Sequence, residues 1–372
     1  MKIAVIGGGP GGLYFAYLMK KHDPSHHVTV YEQNAAGATY GWGVVFSDIA
    51  LSFLREADEE FYKEFTARHE RCDYMEVVHK GVHVQLGNNH FSRTARIDLL
   101  NILQGACRRV GVDLRFEQRI SDLSTLAGAD IIVAADGANS HTRSQYAEAF
   151  RPTIEQRRNK FAWYGTHQLF HPVSLIFRET QHGIFIAHSY QYSGDLSTFL
   201  VEVDPETWQR AGLDRKSEEE SRHFCGEVFR PELGSNELLS NRSLWFQASI
   251  VRNENWTHEN IVLLGDACRS VHFSLGSGTR MALQGDRVQN GNDVAAGFRH
   301  YEAVRRPATA NFQSAADKSL DWYENVSRKM HLDPVMFAYD YMRRTGRVSH
   351  DALRERDPRF IAAYEAATQA AA

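Results

Sequence analysis

Residues 7 to 12 read Gly7-Gly8-Gly9-Pro10-Gly11-Gly12 and satisfy G-x-G-x-x-G. Such a run can cradle a pyrophosphate. Gly7 permits a tight turn, Gly9 lets the phosphates approach the backbone, and Gly12 lets a helix close onto a sheet. Pro10, Gly11 and Leu13 belong to that helix start, whose unpaired N–H groups and partial positive charge suit an anion. Glu32 follows Gly12 by twenty residues and ends the next apolar stretch. A carboxylate there accepts hydrogen bonds from two ribose hydroxyls, which favours a 2′-OH over a 2′-phosphate. The same glycines could form a turn with no ligand. Their place between a strand and a helix points to a dinucleotide, NAD or FAD.

Two further motifs bear on that choice. Asp136-Gly137-Ala138-Asn139-Ser140-His141-Thr142-Arg143 follows an apolar strand, where open α/β sheets bind ligands. Gly265-Asp266-Ala267 follows another, and Gly276-Ser277-Gly278-Thr279 lies shortly beyond. Asp266 is placed to hold ribityl hydroxyls. A helix start at Gly276, Gly278 and Thr279 can aim N–H groups at the flavin N1/C2=O edge, which gains negative charge on reduction. Three motifs in this order assign FAD.

The elements needed to position them are legible in outline. Residues 2–6 and 28–32 are strands flanking a helix at 11–21, a β-turn-α-β unit. A helix is expected at 96–110, and buried strands at 130–135 and 260–264. Segments 161–165, 174–178, 183–188 and 197–203 alternate and are rich in aromatic residues, as antiparallel strands are. The run 77–84, with His79 and His83, reads as one more strand. The last ~70 residues look helical, with Pro307, Pro334 and Pro358 as punctuation. The expected class is therefore α/β. A discontinuous Rossmann-like FAD-binding domain (1–158 and 255–310) carries an inserted antiparallel-sheet substrate domain (159–254) and a helical C-terminal region (311–372).

Composition narrows the function. The 372 residues include 43% hydrophobic and 24% charged types, with a net charge of −4, so binding to nucleic acid driven by overall charge is not expected. Cys72, Cys107, Cys225 and Cys268 are scattered without C-x-x-C, and the eighteen histidines show no H-E-x-x-H. No disulfide framework and no metal site are expected. The short apolar N-terminus is broken by the glycines and no eighteen-residue apolar span occurs, so neither export nor membrane insertion is expected and a cytoplasmic location fits.

The three motifs in order resemble the class A flavoprotein aromatic hydroxylases. Within them the chain is similar to the branch of salicylyl-CoA 5-hydroxylase, the monooxygenase half of 2-aminobenzoyl-CoA monooxygenase/reductase and the violacein-pathway tryptophan hydroxylase. The segments that carry the likeness are Gly41-Trp42-Gly43-Val44-Val45-Phe46-Ser47-Asp48, Trp163-Tyr164-Gly165-Thr166-His167-Gln168-Leu169-Phe170, Val271-His272-Phe273-Ser274-Leu275-Gly276-Ser277-Gly278-Thr279 and Arg347-Val348-Ser349-His350-Asp351. Most of the class has a histidine and a proline pair after Gly-Asp, where this chain has Arg269, His272 and Phe273. It also departs at Gly285-Asp286-Arg287 and Gly291-Asn292-Asp293, which interrupt a stretch that relatives continue as a helix.

The resemblance implies that NAD(P)H reduces FAD, that O2 adds to it, and that a flavin C4a-hydroperoxide hydroxylates an aromatic ring. The ring implied is a 2-hydroxy- or 2-aminobenzoyl group on CoA or a carrier protein. A free aromatic amino acid or its derivative is the alternative, and a flavin protein without monooxygenase turnover is another. Val44 and Arg96 join the cofactor set by resemblance, Arg96 at the pyrophosphate. His272, His167 and His188 are the acid–base candidates. Trp163, Tyr164, Phe185, Tyr190 and Phe273 are the pocket candidates, any of which could equally be plain sheet core. Arginines 343, 344, 347, 354 and 356 could meet CoA phosphates or line a solvated helix. Oligomeric state is not legible.

Overall fold

The computed structural model describes residues 1–39, 41–270 and 293–371. Its first sheet has six strands in the order Thr257–His258, Ile261–Leu263, Ile131–Ala134, Lys2–Ile6, His27–Tyr31 and Asp113–Arg115. All neighbours are parallel except the first pair. The strands Ile131–Ala134 and Ile261–Leu263 are apolar throughout and fully buried, as parallel strands covered on both faces must be. The helices Pro10–His22 and Arg96–Val110 pack together on this sheet, and Leu13, Ala16, Leu99, Leu103 and Cys107 join its core. Arg96–Val110 ends where the sequence places it, because Gly111 adopts φ 85° and closes the last turn.

The second sheet has nine strands. Its main path runs Leu238–Leu239, Pro152–Thr166, Ser197–Val203, Gly183–Gln191, Val173–Thr180, Glu70–His79, Val82–Ala95 and Gly43–Ser47, and Phe246–Asn253 pairs off it with Pro152–Thr166. Only the Glu70–His79/Val173–Thr180 contact is parallel. Three of these strands come from residues 43–95, so the sheet is assembled from chain on both sides of the Asp136-Gly137 motif.

The two faces of this sheet bury different things. Strand alternation sends Tyr164, Phe185, Ala187 and Phe199 to one face, against Cys225, Phe229 and Leu233. It sends Val77, Leu175, Phe177 and Ile186 to the other, against Trp322, Tyr323, Phe337 and Tyr341 of the C-terminal helices.

Two local expectations need correction. The run around His79 and His83 is a hairpin and not one strand: Lys80 (φ 51°) and Gly81 (φ 75°) turn the chain between Glu70–His79 and Val82–Ala95. A lysine occupies the left-handed position that asparagine or aspartate usually signals, so the pattern hid the turn. Pro307 does not punctuate; it lies inside the 31-residue helix Val294–Glu324. Pro334 and Pro358 do stand at helix starts, where a missing N–H is harmless.

Candidate active site at the carboxyl ends of the parallel strands

Because the four central strands are parallel, their carboxyl ends share one edge, and each delivers a motif there. Lys2–Ile6 leads into the glycine turn, His27–Tyr31 into Glu32, Ile131–Ala134 into Asp136, and Ile261–Leu263 into Asp266.

The three diagnostic glycines differ in what surrounds them. A Cβ on Gly7 (φ +106°) would lie 2.3 Å from the Ala135 carbonyl oxygen, and one on Gly12 would lie 2.2 Å from that of Gly7. These two are required by the fold. A Cβ on Gly9 would meet nothing within 4 Å, so the missing side chain there leaves open space above the turn. Gly9 also caps the helix Pro10–His22 without any side-chain hydrogen bond, which leaves its first N–H groups available. Glu32 accepts from the Gly8 N–H at 2.7 Å with one oxygen and from the Asn34 backbone and side chain at 2.8 and 2.7 Å with the other.

Asp136 accepts from the Thr142 N–H at 3.1 Å, and its second oxygen is buried without a partner among the described residues. Arg143, fully buried, ties this loop to the next: it donates to the Ala138 carbonyl at 2.6 Å and to the Ala267 carbonyl at 3.1 Å. Arg143 ends the Asp136-Gly137 motif in the sequence, where nothing marks it for this bridging role. Asn253 donates to the same Ala267 carbonyl at 3.2 Å.

Asp266 is exposed to solvent at the end of its strand, with Arg96 and Arg269 acting on its carboxyl. Desolvation pushes its pKa up, while Arg96 and Arg269 act in the opposite direction. Arg96 opens the helix Arg96–Val110 and donates its backbone N–H to the Trp42 carbonyl at 2.9 Å. Desolvation lowers its pKa, offset by Asp266 and Tyr190, and its guanidinium makes no hydrogen bond among the described residues. A half-buried cation without a hydrogen-bonded partner, an orphaned carboxylate oxygen, an uncapped helix start and the void over Gly9 together fit an elongated, doubly phosphorylated ligand along this edge.

Residues 41–43 lock this edge to the large sheet. The Trp42 ring lies where a Cβ on Gly165 would come within 2.6 Å, the Tyr192 ring 2.5 Å from one on Gly43, and Trp163 2.9 Å from one on Gly41. Tyr190 donates to the Gly43 carbonyl at 2.9 Å, Thr198 accepts from the Gly43 N–H at 2.9 Å, and Trp42 donates to the Trp163 carbonyl at 3.2 Å. Val44 is buried beside them, paired with Thr94.

The remaining candidates separate by face. Register places Trp163, Leu200 and His188 in one row and Gly165, Thr198 and Tyr190 in the next, all on the face that meets residues 41–43. The Trp163 indole N–H is buried with no acceptor among the described residues. Tyr164 and Phe185 lie on the opposite face, fully enclosed in core. His167 is exposed on the loop beyond the strand, its Nδ1 3.0 Å from the Asp195 carbonyl oxygen. His272, Phe273, Gly276, Gly278 and Thr279 lie outside the described residues.

His188 is the histidine with a built setting. Its Nε2 lies 2.8 Å from Glu202, which is wholly buried and also accepts from Asn159 at 2.6 Å. An ionised carboxylate only accepts, so in the neutral ring Nε2 carries the proton and Nδ1 presents a lone pair. The sequence offered no signal for Glu202: it reads as an ordinary alternating position of a strand, and only the register brings it opposite His188's strand.

Comparison with known proteins adds to this geometry. The description of NAD(P)-binding Rossmann-like domains matches residues 5–40. A salicyloyl-CoA 5-hydroxylase from a Streptomyces species is 35% identical over 378 residues, covering 97% of this chain and 72% of that protein. Protodeoxyviolaceinate monooxygenase from Chromobacterium violaceum is 35% identical over 356 residues, covering 92% and 94% respectively. Among solved structures, the tetrameric form of 2-methyl-3-hydroxypyridine-5-carboxylic acid oxygenase superposes with a TM-score of 0.71 at 16% identity, covering 95% of this chain and 97% of that one.

Proposed function

This chain belongs to the flavin-dependent aromatic hydroxylases, and from that premise we propose that it uses NAD(P)H and O2 to insert one oxygen atom into a 2-hydroxy- or 2-aminobenzoyl ring carried on CoA or a carrier protein. The observation that carries the reading is the convergence of Gly9, Glu32, Asp136 and Asp266 at one sheet edge, with the Arg96 guanidinium beside Asp266. The carrier-bound substrate draws on the relative whose name includes salicyloyl-CoA.

In this reading the start of the helix Pro10–His22, from Gly9 and Pro10 through Gly11, Gly12 and Leu13, together with Arg96, holds the pyrophosphate. Glu32 takes the adenosine ribose, and Asp136 and Asp266 serve the ribityl side. Gly276, Gly278 and Thr279 are assigned the flavin ring edge on sequence grounds. Bound FAD supplies the redox chemistry, accepting hydride from the nicotinamide and activating O2. The protein orients the ring to be hydroxylated on the sheet face of Trp163 and Tyr190, and keeps water from it. His188, held by Glu202, accepts at Nδ1 the proton of the ring hydroxyl, or of an amino substituent as the ring gains oxygen. That loss of a proton raises the electron density at the carbon attacked.

The test uses the purified yellow protein and a panel of ring compounds, free and as CoA thioesters. The expected result is NAD(P)H oxidation stimulated by one of them, with a product heavier by one oxygen atom derived from O2. A colourless protein that takes up no FAD overturns the proposal, as does cofactor oxidation that no ring stimulates.

A further inference from the structure

A second recess lies on the far side of the C-terminal helices. The end of Val294–Glu324 and the helices Pro334–Arg343 and Pro358–Ala371 surround a groove of about 410 Å³, lined among others by Trp322, Lys329, Tyr339, Arg343 and Tyr364. That volume is in the range of small-ligand sites.

Its walls combine a flat aromatic surface with an excess of positive charge, Lys329 being paired with Asp340 and Arg343 having no carboxylate partner among the described residues. Tyr339 and Tyr364 stack at 3.6 Å with an interplanar angle of 13°, and Tyr364 keeps part of its surface open. Asp340 is fully engaged, accepting from Trp322 Nε1 at 2.6 Å and from Lys329 at 2.9 Å. Arg343 is exposed, lies 5.5 Å from the Tyr339 ring, donates to its hydroxyl at 3.2 Å, and has no carboxylate partner among the described residues. The structure thereby sorts the arginine cluster of the sequence. Arg354 is paired with Asp351 and Glu365, Arg356 donates to Asn89, Arg347 donates to the Asn311 carbonyl, and Arg344, which also lines the groove, donates to Ser319 and to the Tyr341 carbonyl. Arg343 keeps its charge directed at the groove.

The groove also adjoins the reaction face. Trp322 lines it, and the next residue, Tyr323, packs its ring 5.2 Å from that of His188 on the other side. Consecutive residues of one helix thus touch the groove and the proposed base.

We propose that this groove binds the phosphorylated nucleotide end of a CoA-type thioester, with phosphate on Arg343 and Lys329 and the base against Tyr364. The acyl arm then passes around the helix to the sheet face at His188. The proposal rests on the reading of the substrate as a carrier-bound ring. Guanidinium and ammonium groups beside a stacked aromatic wall recognise a nucleotide phosphate by charge-assisted hydrogen bonds and stacking. They offer little to a neutral free acid or amino acid.

The experiment measures binding of adenosine 3′,5′-bisphosphate, which has no acyl arm, to the FAD-loaded protein by calorimetry. Saturable binding that weakens with salt is expected, with Kd rising at least about tenfold in Arg343→Glu and in Lys329→Gln. Arg347→Glu, outside the groove, is expected to leave it unchanged. In turnover, Arg343→Glu raises KM for the thioester by a similar factor and leaves kcat as it was. Absence of saturable binding in the unmodified protein, or equal Kd in all variants, overturns the proposal even if a ring is hydroxylated. Binding that depends on Arg343 supports it even if no ring yet tried is hydroxylated. Binding of an acidic carrier protein that the bisphosphate fails to displace, with no bisphosphate site of its own, also overturns it.

Discussion

Gly9 and Gly12 stand three residues apart in one motif, yet they answer to different constraints. Alanine at Gly12 places a methyl group 2.2 Å from a backbone oxygen, so Gly12→Ala is expected to destabilise the fold itself, by about 2–3 kcal/mol or more. Alanine at Gly9 meets no protein atom, and φ there is −74°. Gly9→Ala is therefore expected to leave the melting temperature of the FAD-free protein within about 1 °C of the parent while weakening FAD binding by about tenfold or more, because the methyl group occupies the phosphate approach. Thermal melts of stripped protein and flavin titration check both. Equal loss of stability in the two variants would show that the open space over Gly9 is not a ligand's. A second residue-scale test concerns Glu202, which fixes the tautomer of His188 from 2.8 Å. With Glu202→Gln the amide no longer dictates which nitrogen carries the proton, and kcat is expected to fall about a hundredfold, as loss of a general base does. The deficit should narrow at high pH for a phenolic substrate, since a hydroxyl that ionises unaided needs no base. A deficit constant with pH argues against the role.

At the scale of elements, the link between the two sheets carries a titrating group. His69 sits beside the strand Glu70–His79, its ring 4.6 Å from Phe65 edge-on, and its Nδ1 2.6 Å from Ser92 Oγ. Burial and the nearby Arg71 push its pKa down from 6.5 to about 4. The folded protein keeps this imidazole neutral, whereas the unfolded chain takes up a proton as pH falls below 6.5. Stability is thus fully present above 6.5 and is lost as pH falls from 6.5 to about 4. Melting temperature followed across that window should fall less steeply for His69→Phe than for the parent, and parallel curves would remove His69 as the cause. The elements themselves were unequally legible. The parallel strands and the helix Arg96–Val110 announced themselves through continuous apolar runs, a glycine turn and a glycine cap, all short-range signals. The strands from residues 43–95 did not, because Glu70–His79 and Val82–Ala95 alternate imperfectly and turn on a lysine. The candidate site divides in the same way. Gly7, Gly12, Glu32, Asp136 and Asp266 follow from motif position, whereas Glu202, Asn159 and the face that separates Trp163 from Tyr164 depend on register between distant strands.

Taken whole, the molecule brings a nucleotide edge and a sheet face together through a seam of three residues, and the seam is built on glycine. The indole of Trp42 lies over Gly165, Tyr192 over Gly43, and Trp163 over Gly41, each at a distance no Cβ tolerates. Hydrogen bonds from Tyr190 and to Thr198 fix Gly43 between them. The nucleotide edge is joined to the same seam by the Arg96 N–H on the Trp42 carbonyl. A methyl group at Gly165 must therefore push Trp42, and with it the contact that aligns Arg96 with the sheet face. Gly165→Ala is expected to retain FAD with an affinity lowered no more than severalfold, since the contact disturbed is the Arg96 backbone N–H, while the glycine turn, Glu32 and Arg143 keep hydrogen bonds of their own. It is also expected to lose coupling: NAD(P)H oxidation continues while the product formed per NAD(P)H falls at least about twofold, and H2O2 makes up the difference as water reaches the face. Removing the obstructing ring should restore part of the alignment. Gly165→Ala combined with Trp42→Leu is expected to couple better than Gly165→Ala alone, a non-additivity diagnostic of direct contact. Product, peroxide and NAD(P)H measured together in the four proteins of that cycle decide the matter. Additive losses would mean that the seam merely packs and does not align the two halves of the site.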